Sequence, residues 1–406
     1  MVGPLPVLSR ERNTGVFRAA VGPIAVIGVF GMTLGITYPL LSRMLEERGA
    51  SGTVIGLNGA MTPLGMVLTA ALIPALVRRL GPWRLMVVAA AGSSAILSLF
   101  AVTDDLVLWF VLRALLGSCA VAMFILSETW ISENADVTHR GRLLTAYTSV
   151  LALGFCVGPA VLSASENSEA VALAVAVASP LVALWPLWTE RARVPAMGAS
   201  GRVPVGSLTR QLSVLLVAVL AISVFDAVTL QFLPLYADAA GLPPGHGELA
   251  LTVLLIGQTT LQFPLGWLAD RLGGRAALLL SLTVGTAGAL LLPAAMGWGL
   301  WLWPTVAVWG GIAFAGYPLV LSILGANLDG ESLLLGNTAF AIVWGVGGVV
   351  GPPYAGAAMD VWGANGMPWS LAALWVLAVL TTVAVFLRRA GGRAAPTPSE
   401  PSHSGR

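Results

Sequence analysis

The chain has 406 residues, of which 57% are hydrophobic and only 10% charged, and its formal net charge is +2. Soluble domains carry about 25% charged residues, so this composition excludes an ordinary soluble enzyme, a nucleic-acid-binding protein and a disordered chain. The high apolar fraction predicts that most of the chain lies in a lipid bilayer, where a spanning helix needs about 20 apolar residues. With short loops, the chain holds about twelve such helices and leaves no room for a soluble domain.

Apolar segments follow one another along the whole chain, and lipid favours helices because it offers no partners to unpaired backbone groups. The predicted fold class is therefore an all-α membrane protein with twelve transmembrane helices. The predicted spans, in chain order, are 19–41, 53–77, 84–102, 106–130, 143–164, 170–188, 211–235, 249–268, 276–296, 300–324, 334–358 and 369–387.

The arginines predict the orientation of these spans. All 21 basic residues are Arg. If the N-terminus is cytoplasmic, all of them except Arg43, Arg48 and Arg113 fall in cytoplasmic loops or tails, as the positive-inside rule requires. We therefore expect a multi-pass protein of a bacterial inner membrane with both termini in the cytoplasm.

Polar stretches divide the chain into two halves near its midpoint. Residues 191–210 contain Pro, Gly and Arg, which is typical of a flexible cytoplasmic linker. The expected segments are a cytoplasmic N-terminus at 1–18, a six-helix half at 19–190, that linker, a second six-helix half at 211–387, and a disordered cytoplasmic tail at 388–406.

Two motifs occur once in each half at almost the same offset. Arg79-Leu-Gly81 matches Arg271-Leu-Gly273, 192 residues later. Gly154-x-x-x-Gly158-Pro159 matches Gly347-x-x-x-Gly351-Pro352, 193 residues later. Small residues at this spacing let helices approach closely, and Pro bends them. The pattern predicts two pseudo-symmetric halves, as in secondary transporters.

The segment from Gly266 to Arg275, GWLADRLGGR, resembles the loop motif G-x-L-a-D-r-x-G-r-r of the major facilitator superfamily. In that family the motif lies after the second helix of a half, and its charges hold the outward-facing state until they separate. The resemblance therefore implies conformational-switch residues at Gly266, Asp270, Arg271, Gly273 and Arg275. The first half keeps Arg79 and Gly81 but has Pro74 and Arg78 where the motif has Gly and Asp.

Further strings extend the resemblance over most of the chain. Arg113-Ala-Leu-Leu-Gly117 is similar to the R-x-x-q-G motif of the fourth span. Glu133, Arg140 and Arg142 match the E-x6-R-G-R loop, which implies a second cytoplasmic charge network. Glu128-Thr-Trp130, and the segments starting at Gly257 and Gly310, resemble a bacterial subfamily of small-molecule or drug exporters.

Three ionisable residues fall inside predicted spans, where charges are rare and mark functional sites. Arg113 and Glu128 lie on the fourth span, and Asp226 lies on the seventh. We hypothesise that Arg113 and Asp226 face each other at similar depth, with Asp226 coupling transport to protons. A permanent structural ion pair and direct substrate binding are the alternatives for this pair. Glu128 is a further candidate proton or substrate site, with pairing to Arg140 or Arg142 as its alternative.

Uncharged polar residues are expected to complete a cavity between the halves, although each could equally join neighbouring helices by hydrogen bonds. The mostly apolar remainder favours a hydrophobic or amphipathic substrate. The candidate cavity residues are Thr33, Thr37, Gln258, Gln262, Tyr317 and Asn337.

The sequence predicts a secondary transporter that moves a small organic molecule by alternating access, with proton-coupled export as the favoured mode. A symporter or uniporter that imports a small metabolite is the first alternative, and a non-transporting sensor or scaffold is the second. An enzyme is not expected, since no nucleophile–base constellation, metal-ligand spacing or phosphate-binding loop occurs. The expected partners are the substrate, protons and the lipid bilayer, with no cofactor, metal or nucleic acid, in a monomer.

Overall fold

The computed structural model describes residues 8–134, 140–165, 168–194, 209–328 and 330–392, and these ranges are helical except for short turns. Most of the predicted linker and of the predicted tail lies outside the described residues. The last helix continues to Gly392, five residues past the predicted end of the second half at 387.

Eight helices form the first half, which here means residues 8–194. They are α1 (Leu8–Glu47), α2 (Gly52–Ala70), α3 (Ile73–Leu80), α4 (Pro82–Phe100), α5 (Leu106–Asn134), α6 (Arg140–Ala164), α7 (Glu169–Val182) and α8 (Leu184–Thr189). A 3-10 turn over Arg191–Arg193 follows them.

Eight more helices form the second half, residues 209–392. They are α9 (Thr209–Ala239), α10 (His246–Thr260), α11 (Gln262–Leu272), α12 (Gly274–Ala295), α13 (Leu302–Phe314), α14 (Gly316–Asn327), α15 (Gly330–Trp362) and α16 (Gly366–Gly392). A 3-10 turn over Gly299–Trp301 precedes α13.

The predicted all-helical membrane fold is confirmed. Eleven helical segments of the described ranges are long and apolar enough to cross a membrane, and the pair α10–α11, bent by 42°, makes a twelfth when counted as one span. Four spans predicted as single runs are broken. The second is interrupted at Ala71 and Leu72, the sixth at Ala183, the eighth at Leu261 and the tenth at Ala315.

The internal repeat appears in the packing of the helices. Helix α1 packs on α6 as α9 packs on α15, and α2 packs on α5 as α10 packs on α13. Gly81 and Gly273 end α3 and α11 in the same way, with φ of 79° and 84°. A side chain at either position would be strained at such a φ, which explains why both copies of the motif keep glycine.

The Gly-x-x-x-Gly-Pro motifs lie at the equivalent packing sites of the two halves. Gly154 and Gly158 of α6 meet the backbone of α1 so closely that a Cβ at either glycine would collide with it. Gly347 and Gly351 of α15 instead meet Ser223 and Val224 of α9, including the Ser223 side chain. Small residues thus bring helices together in both halves.

The two halves meet mainly through three helix pairs, α1 with α9, α2 with α15 and α6 with α10. Helix α1 ends, and α2 begins, at one end of this interface, which we call the Arg43 end. The turn after α11 lies at the opposite end, which we call the Gly273 end. Between them, buried aromatic side chains fill the second half, where Phe225 lies 5.0 Å from Trp309 and 5.7 Å from Trp375 between ring centroids.

Candidate functional site

Arg113 of α5 lies in the middle of the bundle and is only 1% exposed. Its Nη1 donates a hydrogen bond to Oδ1 of Asn58 at 3.0 Å, and its Nε donates to Oγ1 of Thr62 at 3.4 Å. The guanidinium also lies 5.5 Å from the ring centroid of Tyr38. A buried cation is therefore held by neutral groups of α1 and α2, with a cation–π contact in place of a counter-ion.

Asp226 of α9 is half-buried, and its described polar partner is neutral as well. Nε2 of Gln258 donates to Oδ1 of Asp226 at 3.5 Å. Gln262, one turn further along the chain, donates from its own Nε2 to the backbone oxygen of Gln258 at 2.6 Å. Gln262 at the start of α11 thus contacts α10 across the break at Leu261, and Gln258 contacts the predicted proton-coupling acid.

Arg113 and Asp226 lie at nearly the same level of the bundle. Nε2 of Gln231 donates to the backbone oxygen of Ile55 at 2.6 Å, which aligns α9 with α2. Asp226 lies five residues from Gln231 toward the Gly273 end, about 7.5 Å along the helix, and Thr62 lies seven residues from Ile55 in that direction, about 10 Å. Thr62 contacts Arg113 and marks its level, so the levels of Arg113 and Asp226 differ by about 3 Å.

The predicted direct pairing of Arg113 with Asp226 is not formed in this structure. Among the described side chains, the three ion pairs are Arg43–Asp238, Arg43–Glu248 and Arg48–Asp104. Tyr38 lies within electrostatic range of both Arg113 and Asp226. Polar neighbours on α2 and α10 occupy the hydrogen-bonding positions that the pair would otherwise use.

Of the four other predicted cavity residues, two serve helix packing, one joins an aromatic contact and one is exposed. Thr33, 6% exposed, hydrogen-bonds Ser179 of α7 at 2.9 Å, and Thr37 donates to the backbone of Leu34, so both serve contacts within the first half. Tyr317 of α14 packs on Trp344 of α15 with 4.7 Å between ring centroids. Asn337 is exposed near the start of α15.

Sequence reasoning missed several residues of the central site. Asn58, Thr62 and Tyr38 contact Arg113, and Trp344 is held near Asp226 because Ser223, three residues earlier on α9, donates to its backbone oxygen at 2.6 Å. These residues are neutral and scattered through apolar runs. The available signal was the spacing of Asn58 and Thr62, because two polar residues four positions apart lie on the same face of a helix.

The Arg43 end contains a buried charge cluster that joins the halves. Nη2 of Arg43 on α1 donates to Oδ2 of Asp238 at 2.7 Å and also to Oε1 of Glu248. Arg43 is 6% exposed and Glu248 is fully buried. The sequence treated Arg43 as an ordinary loop arginine. In the structure it is an interior residue, because α1 extends to Glu47 and brings it against α9 and α10.

Hydrogen bonds between the halves continue around this cluster. Asp360 of α15 accepts from the backbone nitrogens of Gly52 and Thr53, at 2.6 and 2.8 Å, at the start of α2. Ser163 donates to the backbone oxygen of Gly245 at 2.8 Å. A carboxylate at a helix N-terminus is favourable because it meets unpaired N–H groups and the positive end of the helix dipole. The Arg43 end is therefore closed.

The Gly273 end presents its charges to the surroundings. Asp270 is exposed, and among the described side chains it has no ion-pair partner. Arg271 stacks on Trp267 of its own helix at 3.8 Å from the ring centroid. Gly266 has open space around it, and Arg275 and Arg79 are exposed. Gly266, Asp270, Arg271 and Gly273 lie together on α11 and its following turn, and Arg275 lies at the start of α12. Among the described residues, no hydrogen bond links Asp270 or Arg271 to the first half.

The second predicted charge network and Glu128 are only partly described. Glu128 and Glu133 of α5 are exposed. The side chains of Arg140 and Arg142, and residues 135–139, lie outside the described residues, so the predicted pairing of Glu128 or Glu133 with these arginines stays a prediction. Among the described residues, no group of three His, Cys, Asp or Glu side chains is arranged to hold a metal ion.

Comparisons with known proteins agree with this architecture. The family model of the Major Facilitator Superfamily matches residues 24–250 and 215–405. The uncharacterized MFS-type transporter YfkF of Bacillus subtilis (strain 168) is 25% identical over 374 residues, covering 88% of this chain and 94% of that protein. YcaD of Salmonella paratyphi B, another uncharacterized MFS-type transporter, is 23% identical over 261 residues, covering 63% and 67%.

Solved structures with similar folds include two transporters of different named types. A mutant of the nucleoside transporter NupG superposes with a TM-score of 0.75 at 13% identity, covering 90% of this chain and 99% of that one. A bacterial homolog to the human lysosomal transporter Spinster, in an inward-facing and unoccupied conformation, gives a TM-score of 0.72 at 14% identity, covering 95% and 99%.

Proposed function

The chain belongs to the Major Facilitator Superfamily and is a multi-pass membrane transporter, and we propose that it exports a small organic molecule in exchange for protons by alternating access. The observation that carries this proposal is Asp226. It is a carboxyl group at mid-depth of the bundle, on a helix of the interface between the halves, with a neutral amide as its described partner.

Asp226 suits a proton site because its partner accommodates both protonation states. The amide of Gln258 donates to the carboxylate, and after rotation its oxygen accepts from the protonated acid. Asp226 keeps some exposure, so water or substrate can reach it. A substrate that enters beside Asp226 changes the solvation of its carboxyl group and therefore the balance between its two protonation states.

The orientation of the protein follows, in this proposal, from its arginines. The Arg43 end lies outside and the arginine-rich Gly273 end lies in the cytoplasm. The structure then represents an inward-facing state, with its outer end closed by Arg43, Asp238, Glu248 and Asp360. The two six-helix bodies predicted at 19–190 and 211–387 move against each other, and the exposed motif around Asp270 joins them at the cytoplasmic end when the outer end opens.

The proposed substrate is amphipathic and carries an aromatic or other flat apolar part. Tyr38 contacts Arg113, and Trp344 accepts a hydrogen bond from Ser223, three residues before Asp226. Tyr317 packs on Trp344, and all three aromatic side chains are partly exposed. Aromatic faces bind flat apolar groups and cations. Nucleosides, aromatic amines and quaternary ammonium dyes are therefore the compounds to test first. An importing symporter or uniporter has the same fold, and flux direction distinguishes it.

Purified protein is first screened with these compounds by thermal stability at pH 5.5 and pH 8, since a ligand of the folded state raises the melting temperature. A hit is then taken into proteoliposomes that contain a pH-sensitive dye. We expect the compound to drive proton movement in the opposite direction, and we expect Asp226→Asn to abolish that movement while still binding the compound.

Asp104→Asn is the matched control, because Asp104 is an exposed acid of the first half that pairs with Arg48 away from the centre. It should transport like the unaltered protein. Proton movement that survives Asp226→Asn would contradict the coupling role. Compound movement without any proton movement would replace the proposal with a uniporter, and a chain that moves none of the bound compounds would favour the sensor or scaffold.

A further inference from the structure

At the Arg43 end, one arginine is hydrogen-bonded to two carboxylates. Asp238 ends α9 and Glu248 lies in the first turn of α10, and both accept a hydrogen bond from the same atom, Nη2 of Arg43. The two acids are thus held beside each other with a single cation between them. When both are ionised, this group carries one uncompensated negative charge.

The same cluster contains buried polar atoms that lack hydrogen-bond partners. They are Nε of Arg43, Oδ1 of Asp238 and Oε2 of Glu248. Glu248 is fully buried, so water does not compensate its free oxygen. Buried polar atoms without partners destabilise the state that contains them, and charged atoms do so more strongly. A proton on one of the two free carboxylate oxygens would remove the excess charge and supply a donor.

Neighbouring charges add to the negative excess. Glu46 of α1 interacts electrostatically with Arg43 and Asp238, and Glu47 follows it. Glu169 of α7 lies within electrostatic range of Glu47, Arg43 and Arg48. The acids therefore outnumber the arginines among the described residues of this end. Two carboxylates that share a site do not both stay ionised when their compensation is incomplete.

We infer that the closed Arg43 end is a proton-binding site, in which Asp238 and Glu248 together take up one proton from water when Arg43 of the other half moves between them. Opening withdraws Arg43 and admits water to both carboxylates, and the proton returns to the solvent. This site is separate from Asp226. The two acids titrate as a pair, so the proton belongs to the pair and not to one residue.

The sign of the pH effect follows from this linkage. The closed state binds one proton more than the open state, so acid favours closure and alkali favours opening. With one proton involved, the ratio of open to closed molecules rises by at most about tenfold per pH unit. If the Arg43 end faces outside, external protons keep the transporter inward-facing.

The experiment measures the distance between the two halves at this end. Spin labels are attached at Ser51 and Ala240, which are exposed on opposite halves, after Cys119→Ser and Cys156→Ala remove the native thiols. Pulsed electron resonance then gives the populations of short and long distances in detergent between pH 5.5 and pH 8. We expect the short distance at acid pH and a growing long-distance population at alkaline pH.

Glu248→Gln mimics the protonated pair and should keep the short distance at every pH. Asp238→Asn should do the same, which keeps the test valid if one variant does not fold. Asp104→Asn, a neighbouring exposed acid, should respond to pH like the unaltered protein. A pH-independent distance in the unaltered protein, a full pH response in Glu248→Gln and Asp238→Asn, or an open end in both variants would each overturn the inference.

Infrared spectroscopy provides a direct readout of the proton. In an Asp226→Asn background, which removes the central acid, we expect a protonated-carboxyl band from the closed state that Glu248→Gln combined with Asp238→Asn abolishes. Persistence of that band would show that the proton resides elsewhere. Because Asp226 is absent from this measurement, its outcome is independent of the proton-coupled export proposed above.

Discussion

The Arg43 end and the Gly273 end of the interface both carry charged residues but use them in opposite ways. At the Arg43 end, Arg43 and Glu248 are buried and contact the opposite half. At the Gly273 end, Asp270 is exposed and Arg271 stacks on its own helix. The difference teaches that burial, more than the presence of a charge motif, identifies which end of a transporter is closed.

This comparison predicts that substitutions at the two ends have unequal effects. Arg43→Ala should have the largest, because it leaves the buried Glu248 and the half-buried Asp238 without a counter-charge. Loss of the partner of a buried charge costs the closed state about 3–5 kcal/mol. Spin labels at Ser51 and Ala240 should then report mainly the long distance. Arg48→Ala, which breaks an exposed pair worth about 0–1 kcal/mol, is the matched control, and equal effects of the two would contradict the prediction.

Gly56→Ala should have the next largest effect at the Arg43 end. A Cβ at Gly56 would collide with the backbone of Pro352 on α15, and such overpacking costs about 1–3 kcal/mol. We expect a lower melting temperature and a larger long-distance population. Gly266→Ala at the Gly273 end is the control, since it meets nothing within 4 Å. If both variants behave alike, the helices are not in direct contact at Gly56.

Asp360→Asn should have a moderate effect of about 0.5–2 kcal/mol, the usual contribution of a helix cap. The amide loses the negative charge and one of the two oxygens that accept from Gly52 and Thr53. Asp105→Asn is the control, because it alters a helix cap that lies within the first half. Comparing the two variants by thermal unfolding separates the loss of a cap from the loss of a contact between the halves. Both should lower the melting temperature, but only Asp360→Asn should also lengthen the distance between the halves.

Asp270→Asn should have the smallest effect on this state, within about 0.5 kcal/mol, because the side chain is exposed. Its role belongs to the state in which the Gly273 end closes. We expect an unchanged melting temperature at acid pH, where the Arg43 end is closed, together with slower transport. A large fall in melting temperature under these conditions would mean that Asp270 already joins the halves here.

The sequence was most informative where a whole segment carries the signal. Twelve apolar runs predicted the helices, and the repeated glycine motifs predicted close helix contacts in both halves, because lipid and close packing constrain every residue of a span. Side-chain roles depend on helix rotation and register, which composition does not contain. Thr33 therefore proved to contact Ser179 within one half, while Gln258 does contact Asp226.

Arg43 also shows that the local sequence does not determine the environment of a side chain, because a residue predicted to lie in a loop is buried. It lies two residues past the predicted end of the first span, so the positive-inside count placed it in a loop. Its burial depends on α1 continuing for another turn and on Glu248 arriving from a helix 205 positions away. Neither fact is encoded in the residues around Arg43, and the pairing of acids with arginine across the halves is a property of the assembled bundle.

The single-residue connections at Gly81 and Gly273 have a mechanical consequence. Helix α4 starts at the residue after Gly81, and α12 starts at the residue after Gly273, so neither hairpin has any slack. The helices on both sides of each glycine must travel together. Any bending within a hairpin then falls at the helix breaks at Ala71–Leu72 and Leu261. We expect a peptide tag inserted beside either glycine to uncouple the hairpin from its half.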